Sequence, residues 1–189
     1  MALAPNIRPG PDIATPIPHS LSSYSMSGAV TAGVIASVVF SGLLWIARLM
    51  GITNFSISLS LGSMFTGDET VGTLWLGLLI NIVLGVLAAM VYALLFHSWG
   101  WATWARGVAI GMGHAVLAGV LMLGIPRVHP GGVNQVISDP GFLGANAGWM
   151  TAVGVFFLFL IYGAIVGEVY SRYVPHLSPA TPEARRPLP

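Results

Sequence analysis

From Val71 to Phe96 the chain reads VGTLWLGLLINIVLGVLAAMVYALLF, with no Asp, Glu, Lys, Arg or His anywhere in the run. About 20 apolar residues suffice to cross the hydrocarbon core of a bilayer, and this run exceeds that length. Inside hydrocarbon every backbone N–H and C=O must find its partner within the protein, which leaves an α-helix or a closed barrel. A barrel strand alternates apolar and polar residues, and this run does not. It reads as a membrane helix.

The rest of the chain has the same character. Of its 189 residues 55% are hydrophobic and 7% charged, with a mean hydropathy of +0.82, whereas roughly 25% of residues in soluble domains are charged. The composition is that of an all-α, polytopic membrane protein. The basic residues are all Arg and the net charge is +1, so the dense basic patch that nucleic acid requires is missing and no nucleic-acid partner is expected. The lack of Cys excludes disulfides, thiolate nucleophiles and Cys-ligated clusters.

Apolar runs place four transmembrane helices at about 27–50, 71–96, 105–124 and 147–170, together forming a domain over 27–170. Residues 1–26 form a Pro-rich arm (Pro5, Pro9, Pro11, Pro16, Pro18) with neither a helical pattern nor the apolar core of a signal peptide. Residues 171–189 form a second Pro-rich tail. Between the first two spans, ISLSLGSMF reads as a segment lying along the membrane surface. HSWGWATW is short enough to make the third helix antiparallel to the second. The loop from Ile125 to Asn146 is rich in turn formers. His129, Asn134, Gln135 and Asp139 make it a polar contact loop, stiffened at Gly131–Gly132 and Asp139–Pro140–Gly141. One His and one Asp are too few for a metal cage.

Four spans put both termini on one side. With the termini cytoplasmic, Arg8, Arg106, Arg172, Arg185 and Arg186 lie inside and Arg48 and Arg127 outside, the bias expected of positive residues. Tryptophans then fall at both interfaces, with Trp45, Trp75 and Trp149 at one and Trp99, Trp101 and Trp104 at the other.

Among polar residues His114 is the sharpest candidate. It sits near the middle of the third helix, roughly 15 Å from either end, and an ionisable group at that depth is a functional hypothesis by default. Asn81 on the second helix lies within about one turn of the same depth, and a neutral His114 hydrogen-bonded to Asn81 is the plainest reading. Gly107, Gly111 and Ala118 share the face of His114. The second helix carries the stripe Gly77, Asn81, Gly85, Ala89, and the fourth carries Gly163 and Gly167. Such small residues let helices approach closely. Glu168 precedes Arg172 by one helical turn, the favourable order for an interfacial salt bridge, with Arg106 as a second partner. No cofactor is expected. Haem b in a bundle takes two facing His, so His114 would need its second ligand from a partner chain.

The two halves echo each other. Sliding the second back over the first sets GVLAAMVY (85–92) against GAIVGEVY (163–170), which reads as two parallel two-helix repeats related by an axis along the membrane normal. The glycine-rich helices, the His after Gly107-x6 and these VY endings resemble small four-helix bacterial integral membrane proteins with no assigned activity. That resemblance implies a bacterial inner membrane and supplies no catalytic residues. No GxSxG, HExxH, P-loop or dinucleotide signature appears, so the chain is expected not to be an enzyme. The leading expectation is a non-catalytic accessory subunit, its glycine faces packed on other membrane-protein subunits of a respiratory or photosynthetic complex. The alternative is a small oligomeric channel or transporter using His114 and Asn81, which requires a cavity reaching His114.

Overall fold

A computed structural model describes residues 24–129 and 139–177, which are mostly helical and contain no strand. The helices are α1 (Met26–Leu49), α2 (Ile57–Thr66), α3 (Val71–Trp99), α4 (Trp104–Met122), α5 (Ile125–Val128) and α6 (Trp149–Tyr173). A 3-10 turn over Phe142–Ala147 leads into α6, and another over Pro175–Leu177 follows it. Four helices, α1, α3, α4 and α6, are long and apolar enough to cross a membrane, so the chain has the architecture of a multi-pass membrane protein. Most of the Pro-rich arm, the Gly131–Gly132 turn with Asn134 and Gln135, and most of the C-terminal tail lie outside the described residues.

Local chemistry sets the helix ends. Ser25, Ser56, Thr70 and Thr103 each occupy an N-cap, their hydroxyls accepting from the backbone N–H of Gly28, Leu59, Thr73 and Arg106, as orphan N–H groups at helix starts require. α2 and α3 end on Gly67 and Gly100, both in the left-handed region at φ 72° and 78°, where glycine carries no Cβ penalty. α3 has 29 residues and α4 has 19.

In space the spanning helices follow the order α3, α1, α6, α4. α1 packs on both α3 and α6, and α6 packs on α4, while α3 and α4 touch only lightly. The two antiparallel pairs are built alike: Gly33 of α1 meets the Gly85 carbonyl of α3, and Gly111 of α4 meets Gly163 of α6, at the offset that sets GVLAAMVY against GAIVGEVY. The contacts between pairs are not alike. α1 closes on α6, whereas its counterpart seam, α4 against α3, stays open.

α2 corrects the expectation of a surface segment. Ser58, Ser60, Gly62 and Ser63 are buried, and α2 runs back along the first turns of α3 with Gly62 against Thr73 and Ser58 against Gly77. Small polar residues look water-facing in a sequence, but here they let two backbones press together. The α2–α3 turn is tied by Asp68, whose carboxylate accepts from the Thr73 and Thr70 hydroxyls. The Thr73 hydroxyl, then the Thr70 N–H, hold its carboxyl below the usual carboxylate range.

Candidate functional site

Glycines bring the helices together and so decide which side chains meet. A Cβ on Gly107 would strike the Gly163 carbonyl, one on Gly163 the Gly107 carbonyl, and one on Gly167 the Thr103 carbonyl; on Gly111 it would meet the Phe159 carbonyl at 2.5 Å. On α3, a Cβ at Gly77 would strike the Ser58 carbonyl and one at Gly85 the Ser37 hydroxyl. Each glycine named as a helix-packing residue is thus covered by the chain's own helices.

His114 sits where α3 and α4 do touch. Its Nδ1 lies 3.1 Å from the Tyr92 hydroxyl of α3. Its ring packs among Phe159, Tyr162 and Tyr92, at centroid distances of 4.7, 5.6 and 5.8 Å. The expected pairing with Asn81 is corrected: the Asn81 amide instead donates to the Ser41 hydroxyl of α1 at 2.9 Å. Eleven residues, about three helical turns, separate Asn81 from Tyr92, so α3 can present only one of them to His114. The Tyr162 hydroxyl donates to the Gly85 carbonyl. Close by, the buried Ser37 hydroxyl has no hydrogen-bond partner among the described residues.

These groups surround one cavity. Its volume is about 360 Å³, and its polar lining residues are Asn81, His114, Tyr162 and Ser60 of α2, with Ser37, whose hydroxyl is itself buried against Gly85. The rest of the wall is apolar, including Phe40, Phe55 and Phe159, and no Asp, Glu, Lys or Arg lines it. Leu84 on α3 and Leu121 on α4 also line it, and both are exposed, at 47% and 65%. The cavity therefore opens sideways through the α3–α4 seam, where acyl chains would lie in a bilayer. Small-molecule sites have this makeup, apolar walls with a few placed polar groups. Toward the face carrying the inter-span loops, Phe55 and Ser60 also border a second cleft of about 340 Å³ lined by Arg48, Glu69 and Asp139.

The remaining candidates lie elsewhere. Glu168 and Arg172 form the expected salt bridge at 2.9 Å on the exposed end of α6, a geometry worth little in stability. Arg106 does not join it. Its guanidinium stacks over Trp101 at 4.2 Å and donates to the Trp99 carbonyl at 3.0 Å, because the α3–α4 connector supplies an aromatic face and a free helix-end carbonyl. His97 meets the Tyr170 hydroxyl at 3.0 Å, which also accepts from the Ser25 N–H. His129 is buried against Ser63 of α2 at 3.1 Å. His97 and His129 stand at opposite ends of the bundle, each apart from His114. Among the described residues no three His, Asp or Glu converge as a metal site would require.

Ser37, Tyr92 and Tyr162 were missed from sequence. Tyr92 in α3 and Tyr162 in the middle of α6 fall inside spans, a visible signal, since a hydroxyl in hydrocarbon must find a partner. Ser37 gave none beyond being a serine among small residues. Comparison with protein families, curated proteins and solved structures finds no match for this chain.

Proposed function

We propose that the protein is a small membrane-embedded binding protein of the carrier kind, working through the cavity that reaches His114 and Asn81. One observation carries this reading: space of about 360 Å³, edged with polar groups at mid-span, inside the chain's own bundle. An empty apolar cavity forgoes dispersion contacts along its whole lining. A purely structural subunit has no use for one. The reading places both termini on the cytoplasmic side of a bacterial inner membrane, as the Arg distribution favours, and gives the chain no catalytic step of its own.

The test is native mass spectrometry of the full-length chain released from nanodiscs drawn directly from native membranes. The wild type carries one bound small molecule, and Ala118→Trp, whose indole fills the cavity, carries none while melting cooperatively. A bare wild type, or an adduct unchanged in Ala118→Trp, overturns the proposal.

A second reading, an accessory subunit of a respiratory or photosynthetic complex, has support of a different kind. A side chain added at Gly42, Gly113 or Gly154 would meet nothing within 4 Å, which leaves small-residue spots on the outside where other subunits' helices can approach. A fixed set of polypeptides co-purifying in mild detergent favours it, and a solitary monomer counts against it.

A further inference from the structure

Most of the cavity wall is hydrocarbon or aromatic ring, with Phe40, Leu61, Met64 and Phe159 among its residues and no charged side chain. An ion brought there would lose its water without gaining a counter-charge, so whatever lies inside is uncharged. The polar lining residues are already engaged. The Asn81 amide donates to Ser41, the Ser60 hydroxyl to the Ser56 carbonyl at 3.0 Å and the Tyr162 hydroxyl to the Gly85 carbonyl, while Nδ1 of His114 meets Tyr92. The Ser37 hydroxyl has no partner among the described residues, but it packs against Gly85 of α3. The space therefore suits an apolar occupant, whose contacts restore the dispersion that an empty wall forgoes.

Depth and opening narrow the class further. Along α4 the wall runs from His114 through Ala118 to Met122, the last residue of that helix. That is a rise of roughly 12 Å, close to one leaflet's half of a hydrocarbon slab roughly 30 Å thick. The inner end of the space is at His114 in mid-span, and its outer end is at Ile125, on the side that carries the inter-span loops. Between the exposed Leu84 and Leu121 it gives onto lipid. A linear chain hanging from the loop-bearing side to the midplane has this length, and acyl chains are what stand outside the opening.

We propose that the cavity holds one acyl chain of a membrane phospholipid from the leaflet on the loop-bearing side, admitted between Leu84 and Leu121, with its methyl end toward His114. The head group stays in the bilayer outside. This rests on the binding-protein reading above and names the ligand class for the same site.

The test is photo-crosslinking of the full-length chain in phosphatidylcholine nanodiscs doped with a phosphatidylcholine that carries a diazirine in one acyl chain, the labelled residues being located by peptide mass spectrometry. With the diazirine near the methyl end, label is expected on Phe159 or Tyr162, which are 7% and 3% exposed and out of reach of lipid that merely surrounds the bundle. With the diazirine near the glycerol end, label moves to Met122 or Ile125. Ala118→Trp loses the label on Phe159 and Tyr162 and keeps it on the outward-facing Val116 and Leu117; should that variant not fold, the two wild-type patterns decide. Label confined to outward-facing residues, interior label unchanged in Ala118→Trp, or the two wild-type patterns reversed overturns the proposal. Interior label from a diazirine-bearing free fatty acid but not from the phospholipid overturns the phospholipid as the source. If no chain enters while Ala118→Trp still strips an adduct found in native membranes, only the ligand class falls. If that adduct is absent or indifferent to Ala118→Trp, the binding-protein reading falls with it.

Discussion

At Gly163 an added Cβ would run into the Gly107 carbonyl, and at Gly77 into that of Ser58. Backbone cannot turn aside as a side-chain tip can, so the helices themselves must part. Gly163→Ala is expected to destabilise the protein by about 2 kcal/mol, as overpacking does. Gly113→Ala, where nothing lies within 4 Å of the new methyl, is expected to be neutral or stabilising by up to about 1 kcal/mol through helix propensity. Thermal unfolding in one detergent compares the two, and equal melts would mean that α4 and α6 are less close than described. Asp68 gives a pH-dependent counterpart. Because the folded chain holds its carboxyl below the ordinary value, its stabilisation is complete above that value and is lost as pH falls through the lower, folded one. Asp68→Asn should melt below wild type at pH 7, and the gap should close on acidification; a gap independent of pH would refute the assignment.

α3 and α4 are joined in mid-span through Tyr92 and His114, near where the seam between them begins to open. Tyr92→Phe keeps the ring and removes that bond, so a loss of about 1 kcal/mol in reversible unfolding is expected; no loss would show that the seam is held by packing alone. The spans themselves were readable in the sequence because hydrocarbon permits so few alternatives: charge-free length located α3, and the glycines of α4 and α6 marked the faces that meet. Which polar groups meet was not readable. Whether α3 offers Asn81 or Tyr92 to His114 depends on how far one rod is shifted along another, and periodicity within each rod carries no information about that shift. α2 was misread for a related reason, since Ser and Gly are equally at home in water and in a tight backbone contact. Only the facing Gly77 decides between them.

Taken whole, the described residues hold four helices long and apolar enough to cross a membrane, with the α1–α3 and α4–α6 connections at one end of the bundle and the α3–α4 connector at the other. It contains no Cys, so single-cysteine variants report topology without background. Asn54→Cys and Ser98→Cys, both at exposed positions, are expected to react with an impermeant maleimide from opposite sides of sealed vesicles, and labelling from the same side would remove one crossing. The unequal lengths of α3 and α4 have a mechanical consequence. At 1.5 Å per residue they measure roughly 44 and 29 Å, against a hydrocarbon slab roughly 30 Å thick. Tilting is one way for the longer rod to match that slab, and a tilted rod meets an upright neighbour at a single height and splays from it elsewhere. Thickening the slab with longer acyl chains would stand α3 upright and draw the wedge shut. Lipid chain length thereby becomes a control on whatever enters there.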